Sequence, residues 1–271
     1  MSTSLYVPDG DLFHPTGLTR SIWSGDIQHG GPPVGLLARA VERTASAVPM
    51  QVVRLTVDLF RGVPVDIPLS VDTTVVRDGR RIQVIDAVLV AAGQPVARAS
   101  GLKIRTSEVP IPDPVDSWTP PTGLDESEAI SWGRFGFDVT DQERFHSHAI
   151  EARTVNDSFF TLGEGLSWVR LLVPVVEHEP TTPLVQTATL SDVGNGNSMA
   201  LDGREWFYVN PDVSLTIHRL PSGPWLGMRS LAYQHRSGVG SADSHLFDIE
   251  GPVGRVVQSQ ILEPRADSRT T

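Results

Sequence analysis

The stretch "IQHGGPPVGLLARAVER", residues 27–43, places a histidine and two glycines directly before a helix-like apolar run. Gly30 and Gly31 allow the backbone to approach another group closely, because neither carries a side chain. The free N–H groups at a helix start can face an anion or a developing oxyanion. We therefore expect Gly30 and Gly31 to be structural or substrate-contacting residues, with His29 as a further contributor to the site.

Other sequence patterns exclude several kinds of chemistry. The chain has no cysteine, which removes disulfides, cysteine metal sites and thiol nucleophiles. There is no G-x-S-x-G elbow, which argues against an α/β-hydrolase. The "GNG" at 194–196 lacks the third glycine of a dinucleotide fingerprint. His146 and His148 would share one face of a strand, but no third ligand is evident. We expect neither a metal nor a cofactor.

Charge and hydropathy narrow the range of partners. The 271 residues carry a formal net charge of −10, which argues against non-specific binding to nucleic acid. The N-terminal sequence has neither the basic segment nor the apolar core of a signal peptide. No segment approaches the roughly 20 apolar residues that span a bilayer. The sequence predicts a cytoplasmic protein with no membrane partner.

Hydrophobic periodicity predicts the elements of the first half. Apolar residues recur at helical spacing over residues 32–46, after two prolines that suit a first helical turn. A period of two follows in "VVRLTVDLF", "LSVDTTVVRDG" and "RIQVIDAVLV", and a fourth extended segment ends near Arg105. Asp78-Gly79 and Ala92-Gly93 are typical of hairpin turns. The pattern predicts a helix followed by an antiparallel meander.

The second half repeats this order. A second helix is predicted from residue 182, and four extended segments follow it between 212 and 262. "LFRGVP" is similar to "IHRLPSGP", and "GQPVARASGLKI" to "GPVGRVVQSQIL", both at an offset of about 158 residues, which indicates an internal duplication. We predict an N-terminal unit over 1–107, a Pro-rich linker over 108–145, a C-terminal unit over 146–265 and a disordered tail over 266–271.

The segments "HGGPPVGLLARAVER", "VVRDGRRIQV" and "GPVGRVVQSQIL", in this order, resemble the acyl-CoA thioesterase family typified by bacterial thioesterase II. The resemblance covers at least residues 20–105 and 160–262. It implies an α+β double hotdog fold, in which two helix-wrapped antiparallel β-sheets join into one continuous sheet. It also implies an acyl-CoA or related acyl thioester as substrate, a role in lipid metabolism, and a homodimer.

The resemblance also implies catalytic residues, because in that family an Asp, a Thr or Ser, and a Gln of the second hotdog activate a water. The Asp corresponds to Asp192 in "TLSDVGNG", and the Gln to Gln258 in "RVVQSQ". The family Thr lies eight residues before an "HRP"-like turn, and this count reaches Asn210, a departure from the family pattern. Asp212 or Ser214 could fill the third role instead.

The resemblance implies that water hydrolyses the thioester without a covalent intermediate. Asp192 would accept a proton from water if burial raises its pKa toward neutrality. Gln258 and Asn210 would orient the water through hydrogen bonds. The acyl chain would lie in an apolar tunnel between helix and sheet. The CoA phosphates would meet basic side chains near its mouth, for which the candidates are Arg77, Arg80 and Arg81.

Two alternatives stay open at this stage. A decayed site that binds acyl thioesters without turnover would fit the Asn210 departure. A hotdog dehydratase would use a histidine near the helix start, where His29 lies, together with an acidic partner. "IQHGG" shows no acidic partner at a recognisable spacing.

Overall fold

A computed structural model describes residues 2–22, 24–112, 123–132 and 142–265. The helices are α1 (Gly31–Arg43), α2 (Pro183–Ser191) and α3 (Gly194–Asn197), and a π-helical turn covers Phe145–Ala149. The strands are β1 (Tyr6–Asp9), β2 (Leu12–Pro15), β3 (Met50–Leu59), β4 (Leu69–Asp78), β5 (Ile82–Ala91), β6 (Gln94–Arg105), β7 (Glu128–Ala129), β8 (Ile150–Thr154), β9 (Gly165–Leu171), β10 (Trp206–Val209), β11 (Asp212–Ile217), β12 (Leu226–Gln234), β13 (Val239–Asp248) and β14 (Gly251–Pro264).

Within the described residues, the strands form one 14-stranded sheet. Its order is β1-β2-β4-β5-β6-β3-β11-β14-β13-β12-β9-β8-β7, and β10 pairs with β14. The two halves of the chain meet where β3 pairs antiparallel with β11, with Val57 opposite Val213. Residues from α1, α2 and both halves of the sheet share one buried apolar core. The predicted α+β double hotdog with a continuous sheet is confirmed.

The two central helices run antiparallel against each other. The start of α1 lies beside the end of α2, where Gly30 approaches Asp192. At the other end, Thr182 Oγ1 donates a hydrogen bond of 2.7 Å to Glu42 Oε2. Thr182 also caps α2 by accepting the Val185 N–H, as expected for a threonine before a helix. The antiparallel packing brings the two halves of the chain together at the start of α1.

The alternation of side chains along β14 places Gln258 on the buried face of the sheet. Along β14, Val256, Gln258 and Gln260 are buried, whereas Val257 and Ile261 are exposed. Alternate side chains of a strand lie on opposite faces of the sheet. Gln258 therefore lies on the face that the helices cover.

Several predicted details differ from the structure. The helix predicted over 32–46 ends at Arg43, because Thr44 turns to extended backbone. Asp192 follows the last residue of α2 as its C-cap instead of lying within the helix. His146 and His148 lie in the π-helical turn and not on a strand. The strands β1, β2 and β7–β9 had no counterpart in the sequence prediction.

Other predictions have no test here. The predicted tail over 266–271 and residues 113–122 and 133–141 of the predicted linker lie outside the described residues. The unit boundaries, the homodimer and the cytoplasmic location stay predictions. Among the residues that the structure covers, no helix is long and apolar enough to cross a lipid bilayer.

The close crossing of α1 and α2 gives a first testable prediction. A Cβ on Gly35 would overlap Thr189 Oγ1. We expect Gly35→Ala to lower the free energy of unfolding by about 1–3 kcal/mol through overpacking, although alanine favours a helix more than glycine does. Thermal or urea unfolding measures the change. Thr189→Ala in the Gly35→Ala background should recover part of the loss. Gly123→Ala, which meets no atom within 4 Å, is the control. An unchanged stability of Gly35→Ala would contradict the crossing geometry.

Candidate active site

Asp192 lies at the centre of the candidate site, where the end of α2 meets the start of α1. Its side chain is buried, and the whole residue is 3% exposed. A Cβ on Gly30 would lie 2.6 Å from Asp192 Oδ2. The missing side chain at Gly30 thus allows the carboxylate to reach the helix start. On the same oxygen, Asp192 Oδ2 lies 3.1 Å from His29 Nδ1.

Two amide side chains hold the other carboxylate oxygen. Asn210 Nδ2 donates a hydrogen bond of 2.6 Å to Asp192 Oδ1, and Gln258 Nε2 donates one of 3.0 Å to the same atom. Asn210 comes from the turn between β10 and β11, and Gln258 from the covered face of β14. These two donors occupy Oδ1, whereas Oδ2 faces His29 and the start of α1.

Burial dominates the electrostatics of this carboxyl group. Removal from water raises the pKa of Asp192 from 3.8 to about 6, because a low-dielectric surrounding disfavours the charged form. Hydrogen bonds from Asn210, the Gly31 N–H and Gln258 act in the opposite direction. The balance leaves a carboxylate that is ionised near neutral pH and is basic enough to accept a proton.

The backbone at the start of α1 favours one tautomer of His29. The Gly31 N–H donates to His29 Nδ1 at 3.0 Å and also to the Asp192 carboxylate, so one backbone N–H is shared by the two acceptors, whose atoms Nδ1 and Oδ2 lie 3.1 Å apart. A neutral imidazole that accepts at Nδ1 carries its proton on Nε2. Pro32 and Pro33 have no N–H, so the first turn of α1 offers few backbone donors beyond Gly31. Burial lowers the pKa of His29 to about 3. His29 therefore stays neutral, and the tautomer that accepts the Gly31 N–H carries its proton on Nε2.

A cavity of about 350 Å³ opens beside Asp192 and His29. Asn210 and Gly30 also line it, so the carboxylate, the imidazole and one amide share one cavity. The exposed Arg61 lies in its wall and provides a cation. Aromatic side chains cover another part of the wall; these are Phe60, Trp132, Phe159 and Tyr208.

The structure brings some of the predicted residues together and separates others. Asn210 and Gln258 both contact Asp192, and His29, Gly30 and Gly31 lie beside it. The arginines predicted for CoA phosphates, Arg77, Arg80 and Arg81, lie around the β4–β5 hairpin and do not line the cavity. The alternatives for the third role also lie elsewhere. Asp212 Oδ1 accepts the Ser259 N–H, and Ser214 pairs with Thr56 and Val257 within the sheet.

Sequence reasoning missed the partner of His29 and most of the cavity wall. The acidic partner is Asp192 in the other half of the chain, so no local spacing could reveal it. Trp132 and Phe159 do not lie next to any recognisable sequence motif. The spacing of His146 and His148 indicates only a metal ligand, whereas in the structure the His146 ring lies 4.5 Å from that of His29. An aromatic cluster of this kind has no sequence signature.

Comparison with protein families gives matches over most of the chain. A model described as "Acyl-CoA thioesterase N-terminal domain" matches residues 19–103. A second model, "Acyl-CoA thioesterase C-terminal domain", matches residues 115–262, more than half of the chain. A search of curated protein sequences found no significant match.

Solved structures share the fold at low sequence identity. A Thermobifida fusca YX protein named "putative thioesterase II" is 15% identical, with a TM-score of 0.70 over 96% of this chain and 94% of that chain. The acyl-CoA thioesterase II TesB2 of Mycobacterium marinum is 14% identical, with a TM-score of 0.68 over 96% and 95%. At these identities the likeness establishes the fold.

Proposed function

This chain belongs to the acyl-CoA thioesterase family, and we propose that it hydrolyses an acyl-CoA to a free acid and CoA with Asp192 as the general base. The observation that carries the proposal is the buried carboxylate beside a cavity, with one oxygen held by two amides and its pKa raised to about 6. A general base works best when its pKa lies near the working pH.

The proposed reaction uses one water molecule and forms no covalent intermediate. Water attacks the thioester carbonyl carbon as Asp192 Oδ2 takes one of its protons. Asp192 Oδ2 holds this proton until the leaving group takes it. The carbon–sulfur bond breaks when the tetrahedral intermediate collapses, and the CoA thiolate receives the proton from Asp192. Gln258 and Asn210 hold the carboxylate in place through Oδ1.

His29 supplies the hydrogen bond to the oxyanion in this proposal. Its neutral form with the proton on Nε2 suits this role, because a preorganised donor stabilises the charge that develops on the carbonyl oxygen. The prolines after Gly31 leave the helix start poor in backbone donors. A neutral imidazole is a familiar electrophile of this kind. Arg61 is the cation that lies in the cavity wall, and we propose it as a contact for CoA phosphates.

The pKa of Asp192 sets the expected pH dependence. Since the base must be ionised, kcat/KM should rise about tenfold per pH unit below pH 6 and level off above it. The pKa of His29, about 3, adds no limb between pH 4 and 8. The pH dependence of kcat/KM can be measured with a chromogenic assay for the released CoA thiol. Asp192→Asn should lose the limb near pH 6. If kcat/KM of Asp192→Asn still falls below pH 6, another group is the base.

A substrate panel tests the proposed function. Purified protein is incubated with acyl-CoAs that carry short, medium, long, branched and aromatic acyl groups. Free thiol and free acid should appear in equal amounts for at least one class. Ligand-dependent thermal stabilisation without any turnover would instead support a non-catalytic acyl-thioester binder.

The contact between His29 and Asp192 also favours a second candidate, a hotdog dehydratase. That chemistry needs a histidine near the helix start and an acidic partner, and the 3.1 Å contact supplies the pair that the sequence alone did not. Incubation with an enoyl-CoA discriminates the two reactions. Formation of a 3-hydroxyacyl-CoA without thiol release would support the dehydratase.

A further inference from the structure

A cluster of rings forms part of the cavity wall. The Trp132 ring lies 4.9 Å from that of His146 and 5.4 Å from that of Phe159, both at 70°. The His146 ring meets that of His29 at 4.5 Å and 84°. These are edge-to-face arrangements, which aromatic rings prefer. A flat ring that enters this space would find edges and faces to pack against.

The size of the cavity favours a compact occupant. Its volume of about 350 Å³ lies near the lower end of the 300–1,000 Å³ that is typical of ligand sites. The same space must also admit the thioester next to Asp192. A single ring on a short stem fits this limit, whereas a long alkyl chain needs a deeper tunnel.

One polar side chain in the cluster lacks a partner. His146 lines the cavity and is 7% exposed. In the described part of the chain, no hydrogen bond reaches its imidazole, and Nδ1 is a buried atom without a partner. Burial and the neighbouring His29 keep the pKa of His146 well below its usual value, so the ring is neutral and offers one donor and one acceptor. An unsatisfied buried polar group costs stability. Nδ1 itself is closed off from the cavity, so a ligand hydroxyl would meet the imidazole at the part of the ring that lines the cavity.

We propose that the acyl group of the substrate is a compact arylacyl group that carries a ring hydroxyl, with the ring in the Trp132–Phe159–His146 cluster and the hydroxyl bonded to the His146 imidazole. This inference rests on the proposed function for the reaction, but the ring cluster and the unpartnered imidazole are independent of Asp192. The class of acyl group can therefore be tested by binding alone.

The test uses CoA analogues that cannot be hydrolysed, in which a methylene separates the sulfur from the carbonyl carbon. Three analogues carry a hydroxyphenylacetyl, a phenylacetyl and an octanoyl group. Isothermal titration calorimetry with the wild-type protein should give the lowest Kd for the hydroxyphenylacetyl analogue and the highest for octanoyl. One net hydrogen bond predicts a difference of about 2- to 10-fold between the two aryl analogues.

Two variants assign the preference to single side chains. His146→Phe keeps a ring and should remove the advantage of the hydroxyl, with the phenylacetyl Kd nearly unchanged. His148→Phe, in the same π-helical turn but away from the cavity wall, is its control. Trp132→Leu should weaken both aryl analogues by about 2- to 10-fold relative to octanoyl. Trp225→Leu, a half-buried tryptophan that packs near Trp168 and Phe247, is the matched control.

The outcomes separate this inference from the proposed function. Tightest binding of the octanoyl analogue to wild-type protein, or an unchanged hydroxyl preference in His146→Phe, would overturn the inference. The predicted ranking supports it even if the matching thioesters are not hydrolysed, a result that would overturn only the hydrolase. Hydrolysis of alkyl thioesters with no turnover of aryl ones would retain the hydrolase and overturn the inference.

Discussion

Asp192→Asn should lower kcat for acyl-CoA hydrolysis by about 10²- to 10⁴-fold, the usual contribution of a general base. The amide has nearly the shape of the carboxylate, and its oxygen can still accept from Asn210 and Gln258, which donate to Asp192 Oδ1. It cannot take the proton of the attacking water. Because both donors remain satisfied, the loss should fall on kcat and leave KM within a few-fold.

The fold of this variant should be intact. Burial raises the pKa of Asp192, so the folded protein carries a charge at pH 8 that its surroundings disfavour. A neutral amide removes that cost, and Tm at pH 8 should stay equal or rise. Asp86→Asn, an exposed position in β5, is the control for a change of one charge. Activity of Asp192→Asn within tenfold of wild type would contradict the role of Asp192 as the base.

His29→Phe should lower kcat by about 10²- to 10³-fold, the cost of one lost oxyanion donor. Phenylalanine keeps a flat ring stacked on Phe145, which lies 4.7 Å from the His29 ring at 19°. It removes both the Nε2–H donor and the Nδ1 acceptor of the Gly31 N–H. His29→Gln, whose amide can donate, should recover part of the activity.

Nitrogen NMR distinguishes this role from catalysis by His29 as a base. We expect a neutral imidazole throughout pH 5–8, because burial lowers the pKa of His29 to about 3, with the proton on Nε2, because Nδ1 accepts the Gly31 N–H. A histidine that titrates near pH 6–7, or one that carries its proton on Nδ1, would contradict the donor role. His14→Phe, on a half-exposed residue of β2, is the control for loss of an imidazole.

The sequence could predict the sheet where one face is covered and the other is exposed. In β5 and β14 buried residues alternate with less buried ones, which is the pattern that reveals a strand. In β9 the first five residues are all buried, so no alternation marks it. β7 has only two residues, which is too short for any periodic signal. The family resemblance implies that the two units join into one continuous sheet, but no periodicity indicates that β3 and β11 form the join.

Sequence could predict those residues of the candidate site that lie in motifs of the family. Asp192 and Gln258 came from short motifs, and Asn210 from a count that starts at a turn. The contact of His29 with Asp192 depends on the antiparallel packing of α1 against α2, which no local spacing encodes. The same holds for Trp132, Phe159 and His146, which come from separate segments and meet only in the folded cavity.

The most direct test of the central claim is a single-turnover hydrolysis in H₂¹⁸O with the enzyme in excess over an acyl-CoA that it turns over. If Asp192 acts as a base on water, the released acid carries one ¹⁸O and the peptide that contains Asp192 carries none. Unlabelled acid together with ¹⁸O in that peptide would show that the carboxylate attacks the thioester itself. That result would contradict the account.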